Sequence, residues 1–167
     1  MEYVSSDTSV WIDFSIIGCT ELPFRLPYTY IMNNDAIEDE LMSLSGFGEE
    51  LKENGLVSVE LTFEEFTLAE AFGQRYPRLS VYDRIALSIA KERRIVLLTG
   101  DGALRKSASN EGVSVLGTLG ILDQLFDGHY ISKDEYEECL HELERNNGNK
   151  VRLPKSEITT RLQGLMK

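Results

Sequence analysis

Histidine and cysteine are nearly absent from the chain, with two of each in 167 residues. His129 and His141 both fall late in the sequence, so histidine acid–base chemistry has few side chains to draw on. Cys19 and Cys139 are far apart, and two thiols do not make a disulfide framework; they are read as reduced. No apolar run approaches the ~18 residues that a membrane span requires. The first residues include Glu2 and Asp7 and lack a basic region followed by an apolar stretch. No signal peptide is therefore expected, and the expected location is the cytoplasm, away from any membrane. Cations are scarce as well: 17 Lys and Arg against 28 Asp and Glu give a net charge of −11, which disfavours loose binding of polyanions.

The scarcity is uneven. Residues 1–70 hold Arg25 and Lys52 as their only cations. Cations then cluster at Arg75, Arg78 and Arg84, at Lys91, Arg93 and Arg94, and at Arg105 and Lys106. A last group, Lys150, Arg152, Lys155 and Arg161, lies near the C-terminus. Solvated helix faces account for most such clusters, although a nucleic acid can use local patches on an acidic protein. A 42% apolar content excludes a disordered chain and is enough for one domain with a real core.

Short apolar runs alternate with helical stretches. Strands are expected at 3–6, 28–32, 56–61, 95–99 and 113–116. Helices are expected at about 9–19, from the Asn33-Asn34-Asp35 cap to about Leu44, at 63–73, from Ser80 to Arg93, from Ala103, and at 118–126. ELPFRLP reads as a loop, and Gly46 and Gly48 as punctuation. Strands alternating with helices imply parallel pairing and an α/β sandwich, with any site beyond the carboxyl ends of the strands. After Gly128 the texture changes. Residues 132–145 form a charged amphipathic helix with a Ser132/Glu135 capping box, and a short helix after Pro154 carries Ile158, Leu162 and Leu165 on one face. The division is a domain over 1–130 and a helical C-terminal extension over 131–167.

Four acids stand out. Asp7 and Asp101 both close a strand and open a helix, where a carboxylate ordinarily serves as an N-cap. Asp83 has capping-box spacing from Ser80 but heads a helix apolar nearly all round, so its surroundings are not bulk water. Glu40 borders the stripe Ile37, Leu41 and Leu44, whereas Glu38 and Asp39 point away. Were the strands ending at Asp7 and Asp101 neighbours, the carboxylates would meet in one crevice. Gathered carboxylates resist ionisation unless a cation joins them, and oxygen-only ligands select Mg²⁺ or Mn²⁺. Such ions activate water and stabilise a phosphoryl transition state. Thr99 and Ser9 are placed to orient carboxylates or to satisfy local backbone.

The segments VSSDTSVWIDF, AIEDEL and LSVYDRIALSIAKERRIVLLTGDGALRKSASNEGVSVLGTLGILDQL together resemble the PIN domain family, in particular the PIN-type toxin ribonucleases of prokaryotic toxin–antitoxin systems and their uncharacterised relatives. The resemblance covers roughly residues 1–130; KVRLPKSEITTRL is similar to tails of some PIN-like relatives. It implies a three-layer α/β/α sandwich with a central parallel sheet and a metal-dependent nuclease that cuts RNA, with the acidic quartet at Asp7, Glu40, Asp83 and Asp101 holding Mg²⁺ or Mn²⁺. Glu38 and Asp39 remain alternatives to Glu40. It also implies hydrolysis by a metal-activated water, leaving 5′-phosphate and 3′-hydroxyl ends. Partners implied are RNA, an antitoxin protein and a second copy of the chain. Arg84, Arg105 and Lys106 are candidate phosphate contacts. Two other readings stand beside it. One is a PIN-like module that binds without cutting. The other is a haloacid-dehalogenase-type phosphatase, which needs an acid two residues after the first Asp, where this chain has Ser9.

Overall fold

The computed structural model describes residues 2–42 and 46–167. Its strands are β1 (Glu2–Ser6), β2 (Tyr28–Asn33), β3 (Val57–Val59), β4 (Val96–Leu98) and β5 (Val115–Leu116). They form a parallel sheet in the order β3-β2-β1-β4-β5. The chain builds outwards from β1 to β3, then returns to lay β4 on the other flank of β1. Strand order therefore reverses between β1 and β4, the place where such sheets form their sites.

The helices are α1 (Thr8–Ile16), α2 (Asn34–Ala36), α3 (Phe47–Asn54), α4 (Phe63–Arg75), α5 (Val81–Arg93), α6 (Gly102–Asn110), α7 (Thr118–Asp127), α8 (Lys133–Asn146) and α9 (Lys155–Leu165). Side chains alternate across the pleat. Leu97 joins Phe72, Leu87 and Leu104 in the core under α4, α5 and α6. Val4, Tyr30 and Leu98 join Trp11 and Leu122 in the core on the opposite face. The result is the expected three-layer α/β/α sandwich. Ser5 helps set the spacing of one layer: its hydroxyl donates to the Ala86 carbonyl at 2.9 Å, drawing α5 onto β1.

Tyr136, Leu140 and Leu143 of α8, with Val151 and Ile158, share the core that contains Val4 and Trp11. The helices α8 and α9 are thus built onto the sheet through α7. Asp123 on α7 makes the join. It accepts the Tyr136 hydroxyl at 2.6 Å and a two-pronged pair from Arg161, Nε to Oδ1 at 2.9 Å and Nη2 to Oδ2 at 2.7 Å. Planar pairs of this kind fix orientation as well as distance.

Several local expectations are corrected. The helix after Asp7 stops at Ile16, short of Cys19, because Gly18 turns the chain with φ of 71°. ELPFRLP contains a 3₁₀ turn, Leu22–Arg25, opened by Pro23. Gly46 and Gly48 do more than punctuate: Gly46, at φ of 72°, starts α3, which the sequence reading lacked. The segment after Asn33 makes only one α turn before widening into a π turn, Ile37–Leu41, closed by Met42 N–H to the Ile37 carbonyl at 2.9 Å. Leu44, expected on its core stripe, lies outside the described residues. Cys19 and Cys139, remote in sequence, place their sulfurs 4.0 Å apart as free thiols. Among the described residues no helix is long and apolar enough to cross a membrane.

Arg161→Met should uncouple α9 from α7. A partly buried, charge-assisted pair is worth about 1–3 kcal/mol. Urea denaturation is therefore expected to show a lower midpoint at unchanged slope, and an unaltered midpoint would refute the clamp.

Candidate active site

Asp7 sits where β1 ends. Its N–H donates to the Leu98 carbonyl at 3.0 Å, which joins the end of β1 to the end of β4. Its Oδ1 accepts the Thr8 N–H at 2.6 Å, the cap expected at a helix start. Its Oδ2 accepts two hydroxyls, Thr99 Oγ1 at 2.6 Å and Ser9 Oγ at 2.9 Å. Each hydroxyl also receives a main-chain N–H from the turn after β4. Gly100 N–H donates to Ser9 at 2.9 Å, and Asp101 N–H donates to Thr99 at 3.1 Å. The two readings of Ser9 and Thr99 are therefore both realised: they orient a carboxylate and satisfy backbone, so Asp7 and the Asp101 turn are held as one unit.

Asp101 caps α6, accepting Leu104 N–H at Oδ1 at 2.8 Å. Asp83 completes the Ser80 capping box on α5, accepting Ser80 N–H at Oδ2 at 3.1 Å. Among the described residues the second oxygen of each of these two carboxylates makes no hydrogen bond. Glu40 arrives from the π turn and accepts the Thr8 hydroxyl at 3.0 Å. Of the three neighbouring acids it is the one turned towards Asp7. Glu38 and Asp39 are exposed, and Asp39 accepts the Tyr82 hydroxyl. Inserted π turns of this sort frequently serve to re-aim a functional side chain.

The four acids feel one another. Burial is the main cause that raises the Asp83 pKa above the usual carboxylate range; the Asp7 charge adds to it and, more weakly, that of Asp101, against lowering hydrogen bonds from Ser80. Burial also raises Glu40, with the charges of Asp7, Asp83 and Asp39 adding and the Thr8 hydrogen bond opposing. Like-charge strain of this kind is relieved by a cation or by a shared proton. The donors are all oxygens, which suits a hard divalent ion. Among the described residues no group of three or more His, Cys, Asp or Glu side chains is arranged to hold a metal ion. Mg²⁺ commonly keeps several waters and takes one or two carboxylates, a mode that an open set of acids can serve.

The candidate phosphate contacts separate. Arg105 lines the cleft beside Asp101. The Arg84 Nε donates to the Ser80 carbonyl at 3.3 Å, and Lys106 lies with Tyr76 and Arg78 on another surface. His141 sits between Glu137 and Glu144 on α8. One acid escaped the sequence reading. Asp13, buried on α1, accepts the Thr118 hydroxyl at 2.7 Å, and burial pushes its pKa up to about 6. A carboxylate in the middle of the apolar run VWIDFSII was the available signal.

The fold and the site together define a parallel α/β/α sheet protein with acids at the β1/β4 reversal. The family model for DUF3368, described as a PIN domain, matches residues 3–166, and the chain belongs to that family. A PilT N-terminus domain protein from the hyperthermophilic archaeon Sulfolobus solfataricus P2 is similar in fold, with a TM-score of 0.52 and 15% identity, over 74% of this chain and 92% of that one. No curated protein matches the chain.

Asp13 carries a pH signature. Its folded pKa of about 6 lies above the ordinary 3.8, so between those values the folded chain holds a proton that the unfolded chain has released. Stability from this group falls as pH rises through that window and is lowest above it. Asp13→Asn keeps an acceptor for Thr118 without the charge. Its stability relative to wild type should climb across the window by on the order of 3 kcal/mol and then level off. A pH-independent difference in melting temperature would contradict the assignment.

Proposed function

We propose that the chain is a metal-dependent endoribonuclease whose reaction takes place at Asp7, Glu40, Asp83 and Asp101. The observation that carries this reading is the Thr99–Asp7 and Ser9–Asp7 hydrogen bonding that locks the ends of β1 and β4 together, with Asp83 and Glu40 raised in pKa by burial and, in addition, by the charge of Asp7. Acids remote in sequence are held against their own repulsion, an arrangement that suits a cation. One or two of Asp7, Asp83 and Asp101 would hold Mg²⁺ or Mn²⁺ directly, with the remaining acids, Glu40 among them, reaching the ion directly or through water. The ion would supply Lewis acidity, activating water as the nucleophile and offsetting phosphoryl charge.

The chain's own residues supply the rest. Thr99 and Ser9 fix the rotamer of Asp7, a positioning role. Asp101 stands between two glycines, so no neighbouring side chain obstructs a phosphodiester approaching its unbonded oxygen. Neither histidine lines the clefts at Asp7 or Asp101, so the cyclising route, which uses histidine for proton transfer, is not the one proposed. The expected products carry 5′-phosphate and 3′-hydroxyl ends. In a toxin–antitoxin setting this same crevice is what a small inhibitory protein would cover. Growth arrest on expression, relieved by Asp101→Asn, is the readout for that role.

A second reading, a PIN-like module that binds without cutting, is favoured by one observation. Asp7, Asp83 and Asp101 each perform helix-capping work, which on its own would explain their positions. Asparagine caps as well as aspartate, so Asp101→Asn spares the fold while removing the charge. Under the nuclease reading that variant loses Mn²⁺-dependent cleavage of RNA by at least a hundredfold. Calorimetry should likewise show Mn²⁺ heat in wild type and none in Asp7→Asn/Asp101→Asn. Equal heats, or cleavage retained in the variant, would leave the binding module as the better account.

A further inference from the structure

Beside Asp101 the surface opens into a cleft of about 1150 Å³ that Asp7 does not line. Gly100, Asp101 and Arg105 form one bank, the Gly117–Thr118 turn lies along the floor, and the α8–α9 connection with the start of α9 forms the opposite bank. Four cations line it, Arg105, Arg152, Lys155 and Arg161, against two acids, Asp101 and Glu157. That is a local excess of positive charge on a protein of net charge −11.

The state of those cations matters more than their number. Elsewhere Arg75 and Lys91 close on Glu111, and Arg93 closes on Glu65. In the cleft only Arg161 is committed, to Asp123. Arg105, Arg152 and Lys155 are exposed and make no ion pair among the described residues. Arg105 is laid over the floor of the cleft. A Cβ at position 117 would come within 2.8 Å of its Nη1, so Gly117 makes the room that the guanidinium occupies. The opposite bank is held in place by the Asp123–Arg161 clamp.

Unpaired cations collected in a concavity select a polyanion. The volume exceeds the ~300–1,000 Å³ that encloses a small-molecule ligand and suits a few nucleotides of single strand. Because Asp101 lines the cleft, a strand lying in it would bring a phosphodiester to that acid, which the Thr99 hydroxyl ties to Asp7. An acidic polypeptide matches the charge but gains nothing from that continuity. We infer that the C-terminal extension forms the far bank of a single-stranded RNA track, with Arg105, Arg152 and Lys155 as phosphate contacts. The inference rests on the ribonuclease reading above and gives the extension a role in substrate binding.

The test is fluorescence anisotropy of a labelled single-stranded RNA oligonucleotide on the full chain in EDTA, where cleavage is suppressed, across a salt series. Arg152→Ala/Lys155→Ala should bind at least tenfold more weakly at low salt. Its slope of log K against log salt should be shallower by about 1.4, the loss of two phosphate contacts at ~0.7 each. Arg152→Lys/Lys155→Arg, which keeps both charges, should retain the wild-type slope. Both residues are exposed, so melting temperatures should match wild type. Unchanged affinity, or weaker binding at an unchanged slope, overturns the track. So does a wild type that binds polyglutamate and not RNA, which would assign the cleft to an acidic protein partner. Metal-dependent cleavage separates the two ideas. Cutting with unaltered binding in the alanine variant removes the track and keeps the nuclease. RNA binding through these residues without any cutting does the reverse.

Discussion

The hydrogen bond from the Asp7 N–H to the Leu98 carbonyl continues the pairing of β1 with β4 one residue past the end of β1. Almost everything at the site follows from it. The parallel register sets Ser6 opposite Leu98, so the next residue on each strand, Asp7 and Thr99, emerges at the same height. Thr99 can then reach the Asp7 carboxylate, and Asp101, two residues on, is held beside it through the same hydroxyl. A shift of one residue in this register would turn every side chain on β4 to the opposite face and send Thr99 away from Asp7. The two apolar cores enforce the register, because Leu97 and Leu98 are both fully buried on opposite faces.

Capping and function coexist here because a carboxylate has two oxygens. Asp101 and Asp83 each use one for a helix N-terminus and leave the other unbonded among the described residues. A helix N-terminus favours a negative charge by about 0.3–1 kcal/mol and a cap by about 1 kcal/mol. Such contributions help keep Asp83 ionised where burial and the neighbouring Asp7 charge favour its neutral form. The helices hold charge at the sheet edge, and the sheet decides where that edge converges.

Much of this was legible in sequence. Asp7 and Asp101 could be placed because strand ends and helix starts leave strong local signals: β-branched runs, then an acid or serine, then helical periodicity. The Ser80/Asp83 and Ser132/Glu135 boxes were readable for the same reason. The α3 helix was not, since Gly46 and Gly48 look like breakers and only the left-handed backbone of Gly46 reveals a helix start. Glu40 was favoured over its neighbours from an α-helical period, yet it is carried by a π turn, which has no simple sequence signature. The approach of Cys19 to Cys139, the burial of Asp13 and the cleft between α6 and α9 depend on long-range packing that local patterns do not encode.

The central claim is that acids brought together by the β1–β4 pairing share a divalent cation. Diffraction from crystals grown in Mn²⁺, recorded for anomalous scattering, addresses it most directly. The account predicts a manganese peak at the carboxyl end of β1 within ligand distance of Asp7 or Asp101 and absent from Asp7→Asn/Asp101→Asn. A peak confined to other acids, or an ordered crevice in which Asp7, Asp83 and Asp101 bond only to their helices, would contradict it.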